Sequence, residues 1–313
     1  MSLLCLLVSQ LWLQSRGRIV GYFGLSITLG IFGSFLVGYC CQQWSDSETL
    51  PWRVIFGAPG AASVLMTAAS LGLLLTSSDA PDAADDSLEE GQQMNHQLTL
   101  RHVVFAIGLA ACQQLTGINA IIQYGPDIFT RAGLSDPLMC ALITNGTNTF
   151  FTALSTVVTD RVGRRPLILV ACCMMTISLF GLSVTFFLGG KLTVVFVLLL
   201  YYAGFALGPG PLFYVISAET FGDEVRESGI ALSNLMLWSF NLVTVTAFPP
   251  LFDSVGPKWV FLMFGFVGIA CVIFIFFGVK ETKGVDMRSP TASPMASPSQ
   301  LESGSHSKLH SRE

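Results

Sequence analysis

The chain has 313 residues, of which 52% are apolar and only 12% are Asp, Glu, Lys or Arg, with a formal net charge of −4. Soluble domains carry roughly 25% charged residues, so a water-soluble domain of this length is excluded in favour of a membrane-embedded one. Lys and Arg are few and scattered, which excludes a nucleic-acid partner.

In chain order, the opening run 1–13 is apolar but too short to cross a bilayer. At 1.5 Å per residue it reaches about 20 Å against roughly 30 Å of hydrocarbon. It lacks the basic start and cleavage site of a signal peptide, and reads as the end of a helix. Long apolar runs then predict membrane-spanning helices at about 19–40, 52–75, 103–122, 137–159, 167–188, 192–217, 229–251 and 259–279. The fold class is therefore all-α, a polytopic transmembrane bundle with about eight full spans. Segment 77–101 is an acidic linker containing Asp79, Asp82, Asp85, Asp86, Glu89 and Glu90. The tail 285–313 is Ser/Pro-rich, repeats Ser-Pro at 289, 293 and 297, and reads as disordered. Four parts follow: a helical remnant at 1–76, the linker, a six-helix part at 102–284, and the tail.

Basic residues collect on the cytoplasmic side of membrane proteins. With the tail cytoplasmic and the spans alternating, twelve Lys and Arg fall inside and four outside. Linker and tail are expected in the cytoplasm.

The eight cysteines lie mostly within apolar runs and have no metal spacing. They read as small hydrophobes. No His cluster or nucleophile–base set points to enzyme chemistry, and no metal or cofactor is expected.

Polar residues inside spans must face a cavity or another helix. The third span carries Gln113, Gln114, Thr116 and Asn119. The fourth carries Asn145 and Asn148 on one helical face, and the seventh carries Ser233, Asn234, Trp238 and Asn241. Amide side chains donate and accept at once, and a ring packs on the C–H face of a sugar, so the set suits an uncharged polyol. The other reading is that these amides join helices to each other. In the sixth span, Gly208-Pro209-Gly210-Pro211 predicts a broken helix, which serves as a substrate site or hinge in transporters, or else only a kink. Asp160 to Pro166 predicts a tight basic turn.

Taken together, these residues resemble the sugar porter family of the major facilitator superfamily. Gln113 to Asn119 is similar to its QQ-x-[ST]-G-x-N motif, and Asp160 to Pro166 to its [DE]-R-x-G-R-R-P loop. Gly208 to Pro211, with Glu219 and Arg226 beyond, resembles its GPGP…E…R pattern. Trp238 to Asn241 matches its W-x-x-N, and Glu281 to Gly284 its helix-twelve exit. Departures are Tyr214, Ala206, Leu237 and Lys280 in the carboxyl half, and Ser9 and Gly24 in the amino half.

The resemblance implies transport of a hexose such as glucose by alternating access, facilitative or proton-coupled. It implies sugar contacts at Gln113, Gln114, Asn119, Asn148 and Asn241, a cavity wall at Trp238, and a cytoplasmic charge latch formed by Arg16, Asp160, Arg164, Arg165, Glu219 and Arg226. It also implies a multi-pass location, in the plasma membrane. Against the family's twelve helices, the chain corresponds to the carboxyl-terminal two thirds. As a monomer of these eight spans it is expected to be inactive, and to self-associate or engage a full-length transporter. The alternative is a non-transporting sugar sensor or regulatory partner.

Overall fold

The computed structural model describes residues 24–43, 63–72, 98–221 and 225–279, with single positions at 53, 57 and 60. The opening run, most of the acidic linker and the Ser-Pro tail lie outside the described residues. The chain divides into two compact units, one formed by Met1–Phe32 with Leu98–Glu313 and the other by Gly33–Gln97. Among the described residues every regular element is helical.

Two helices precede the linker, α1 (Gly24–Gln43) and the short apolar α2 (Ser63–Gly72). Helix α1 runs across the boundary between the units, and α2 belongs to the smaller one. After the linker come α3 (Leu100–Gln114), α4 (Ile118–Gln123), α5 (Gly125–Arg131), α6 (Pro137–Val162), α7 (Arg164–Leu188), α8 (Lys191–Leu207), α9 (Pro209–Thr220), α10 (Arg226–Ser254) and α11 (Pro257–Gly278).

The helix ends follow from local chemistry. Asp136 caps α6 by accepting the Met139 amide at 3.0 Å, and Pro137 occupies the first position, where no amide is needed. The turn between α6 and α7 is the single residue Gly163, whose φ of 102° favours glycine. The tight turn expected at Asp160 to Pro166 is thus one residue wide. Gly189, in the left-handed region, ends α7. Helix α10 continues through Pro249 and Pro250 to Ser254.

The span expected at 103–122 is not one straight helix. It breaks between α3 and α4, where Gly117 takes a φ of 88°. The span expected at 192–217 breaks at Gly208, as its Gly-Pro pattern predicts. Counting each broken pair once, six spans among the described residues are long and apolar enough to cross a membrane. Helix α6, with 26 residues, is also long enough, but Asn and Thr dilute its apolar character.

Within the larger unit, α7 packs chiefly against α11 and α8, α6 against α8, and α10 along α3. Phe105, Leu109, Phe213, Ile216 and Ile275 lie in one buried cluster. The distribution of polarity shows what surrounds this bundle. Phe150, Phe187, Phe196 and Phe277 are exposed, while Gln113, Asn145, Asn148, Ser155 and Ser233 are buried. Water would reverse that arrangement, whereas a hydrocarbon solvent favours it.

Candidate functional site

The broken span α3–α4 places three amides around its break. Gln113 and Gln114 are buried in the last turn of α3, and Asn119 is half-buried in the first turn of α4. Asn119 Nδ2 donates to Gln114 Oε1 at 2.8 Å, bridging the break with a side-chain hydrogen bond. Two neighbours fix the break itself. The Tyr201 hydroxyl, from α8, donates to the Thr116 carbonyl at 3.0 Å. The Phe264 ring, from α11, lies where a Gly117 Cβ would come within 2.5 Å of it. Glycine is therefore required at 117 both for its φ and for this close approach.

Asn148 is buried in the middle of α6, and Asn241 is half-buried on α10. Helix α10 packs along both α3 and α4, so Asn241 is carried by the helix that flanks the first three amides. Helix α6 lies against α8 and α5. Trp238, in contrast, is 62% exposed. The structure does not bring its ring among the buried amides.

The amide oxygens carry the chemical information. Gln113 Oε1, Asn145 Oδ1, Asn148 Oδ1 and Asn241 Oδ1 are all buried without a hydrogen-bond partner. An unmet buried acceptor costs about 1–3 kcal/mol, and most buried polar groups are paired. Each of these oxygens can accept from a hydroxyl donor, and none can donate.

The second break joins α8 to α9. Pro209 and Pro211 have no amide hydrogen, so the usual i−4 bonds to Phe205 and Leu207 cannot form. Gly208 N instead donates to Gly204 O at 3.2 Å and to Phe205 O at 3.3 Å. The Leu207 carbonyl accepts from Ser155 Oγ of α6 at 3.3 Å. A Cβ on Gly208 would lie 2.2 Å from the Ala171 Cβ of α7.

The sequence reading did not single out Ser155. The signal is present, however: Asn145, Asn148, Thr152, Ser155 and Thr159 recur every three or four residues, and all five are buried. This is a polar stripe at helical period inside an apolar span.

At the turn between α6 and α7, Arg164 Nη2 pairs with Glu219 Oε1 at 3.2 Å, with the two side chains 17% and 18% exposed. Arg165 turns elsewhere. Its Nη2 donates to the Phe276 carbonyl in the last turn of α11 at 2.8 Å, and its guanidinium lies 5.6 Å from the Phe276 ring centre. That is a favourable place for a cation, against the carbonyl end of a helix. Arg226 opens α10. Arg16 and the Asp160 side chain lie outside the described residues. An ion pair that the sequence reading missed joins Arg131, at the end of α5, to Asp253 in the last turn of α10. The Arg131 guanidinium also lies 4.8 Å from the Phe252 ring centre. Among the described residues no group of His, Cys, Asp and Glu could hold a metal ion.

Residues 13–290 match the family described as "Sugar (and other) transporter". The chain is 34% identical over 190 residues to "Solute carrier family 2, facilitated glucose transporter member 2" of Sus scrofa, a match covering 58% of this chain and 36% of that protein. It is 33% identical over 193 residues to "D-xylose-proton symporter-like 2" of Arabidopsis thaliana, covering 60% of this chain and 38% of that protein. These matches therefore span little more than a third of either relative's length. Its fold is similar to that of the proton:xylose symporter XylE of the major facilitator superfamily, solved with 6-bromo-6-deoxy-D-glucose. The TM-score is 0.69 at 23% identity, over 86% of this chain and 65% of that one.

Proposed function

This chain belongs to the family of sugar (and other) transporters, and on that premise we propose that its buried amides bind a neutral hexose for passage across the membrane. The observation that carries the reading is the set of unpartnered amide oxygens on α3, α6 and α10. Acceptors without a nearby formal charge suit the hydroxyl protons of a sugar and disfavour a carboxylate or phosphate. Gln113, Gln114, Asn119, Asn148 and Asn241 are the sugar ligands in this reading. Gln114 and Asn119 act as one unit, since each fixes the other. Xylose and glucose, carried by the named relatives, are the natural first substrates to test.

Movement follows from the two breaks. Segments α4 and α9 are short, α4 joined to α3 through Leu115-Thr116-Gly117 and α9 to α8 through Gly208 alone, so each can swing without unwinding a whole span. Alternating access by such swings, with the Arg164–Glu219 pair latching the cytoplasmic end, accounts for transport without covalent chemistry. The chain resides in the plasma membrane with its linker and tail in the cytoplasm.

Binding of labelled D-glucose or D-xylose to the protein in nanodiscs tests the site. Gln113→Ala, Gln114→Ala or Asn119→Ala is expected to weaken binding by about 1–2 kcal/mol each, the usual loss for a buried hydrogen-bonding partner. Unchanged affinity in all three would leave the amides as helix-joining groups. Saturable binding without flux in liposomes would instead mark a sugar sensor. Orientation has its own test: a cysteine at position 87 should resist an impermeant reagent added outside intact cells, and labelling there would reverse the topology.

A further inference from the structure

Asn145 is not among the sugar ligands named above, yet its unpartnered oxygen is the feature that marks them. It is 1% exposed, its Oδ1 has no hydrogen-bond partner, and it lies three residues before Asn148, on the same face of α6. The rest of its side chain is fixed. Nδ2 donates to the Ala141 carbonyl at 2.9 Å. A carbonyl can only accept, so the nitrogen must be the atom on that side, and the amide cannot flip. The oxygen is thereby the head atom left over, and it meets no donor. Thr144, the preceding residue, places its hydroxyl against the carbonyls of Cys140 and Ala141, so it does not supply the missing proton. A residue that served only packing would leave no such cost, because leucine has nearly the same shape and no acceptor to bury.

We infer that Asn145 is a specificity-determining residue of the sugar site, accepting a proton from a second hydroxyl of the sugar that Asn148 contacts. The inference rests on the hexose reading above and refines it. Three residues of helix separate the two acceptors by about 4.5 Å along the axis, a separation that two hydroxyls of one pyranose can match. Because α6 starts at its outer end in the topology above, Asn145 reads the hydroxyl nearer the outside. Discrimination is steep at such a position. A sugar that lacks the hydroxyl, or presents it on the opposite face of the ring, leaves the oxygen unmet.

The experiment compares the wild type with Asn145→Ala, as full chains in nanodiscs, binding D-glucose, D-xylose and each monodeoxy analogue of D-glucose. Asn145→Ala is expected to bind glucose about fivefold more weakly, the equivalent of one neutral hydrogen bond. One deoxy analogue should bind the wild type about fivefold more weakly too, yet bind Asn145→Ala no worse than glucose does. Such non-additivity arises only from a contact between that side chain and that hydroxyl. Asn145→Ser, which keeps a hydroxyl for the Ala141 carbonyl, guards against a variant that merely loosens α6, and should show the same selective pattern. Equal losses across all the sugars, or no loss, would overturn the role of Asn145 while leaving the wider reading standing. Absence of saturable binding of every sugar to the wild type would remove both.

Discussion

Gly208→Leu is expected to abolish the folded protein, and Ala171→Gly to restore part of what it loses. The Cβ of any residue at 208 would lie 2.2 Å from the Cβ of Ala171. Carbon atoms sit comfortably at about 3.5–4.0 Å, so α7 and α8 would have to move apart by more than 1 Å. Neither neighbour can yield by rotating, since both contacting atoms are fixed to backbone. One turn earlier, a Cβ on Gly204 would lie 3.0 Å from the Ala171 carbonyl oxygen, so the helices are already at closest approach over two successive turns. Overpacking of a fitted core costs about 1–3 kcal/mol and sometimes more. With a branched side chain against backbone, at least about 3 kcal/mol is expected. Thermal unfolding in detergent, followed by the tyrosine and tryptophan signal, measures it. Gly208→Ala alone should lower the midpoint, and Gly208→Ala with Ala171→Gly should recover most of the loss. Additivity of the two changes would refute the contact.

The second large effect is expected at the Arg164–Glu219 pair. Glu219→Gln should destabilise the bundle more than removing both charges together with Arg164→Met and Glu219→Gln. Removing one partner of a buried pair costs about 3–5 kcal/mol. Here each side chain is about a sixth exposed, so water relieves part of that cost, and about 2–4 kcal/mol is the expected loss. A double-mutant cycle on the unfolding midpoint isolates the coupling. The same variants serve a functional readout. If the pair latches the cytoplasmic end as proposed, Glu219→Gln should raise the fraction of inward-open molecules, as seen by accessibility of a cysteine placed near the turn between α6 and α7. An unfolding change without any accessibility change would assign the pair to structure alone.

How much of this was legible beforehand varied with the range of the interaction. The break at Gly208 could be read directly, because two prolines cannot donate the amides a helix needs, whatever surrounds them. The break at Gly117 could not. Thr-Gly inside an apolar run is compatible with a continuous helix, and what sets the break is a tyrosine 85 residues away and a phenylalanine on the last helix. The two adjacent arginines make the same point. Sequence groups Arg164 and Arg165 into one basic turn, yet successive helical residues point about 100° apart. One meets Glu219 and the other the end of α11, through contacts 55 and 111 residues apart in the chain. The buried amides were legible as residues that lipid would not tolerate. Their unpaired oxygens were not, since pairing depends on where each head group finds its first partner. The exposure of Trp238 was not legible either, because a place in a motif does not fix how much of a ring its neighbours cover.

The hydrogen bond from Ser155 to the Leu207 carbonyl changes the kind of joint that the α8–α9 break makes. Had the spare carbonyl been left to water or to its own helix, the break would be held only by the contact with Ala171 and the backbone bonds of Gly208. Held instead by a hydroxyl on α6, in surroundings where water is scarce, the joint has a notch. If the break acts as a hinge, as proposed above, any turn that moves the Leu207 peptide must lift its carbonyl off Ser155. A swivel drifts, but a notched joint waits in place until something of comparable strength moves it. One small hydroxyl on a neighbouring helix thereby adds to what holds this half-span in place.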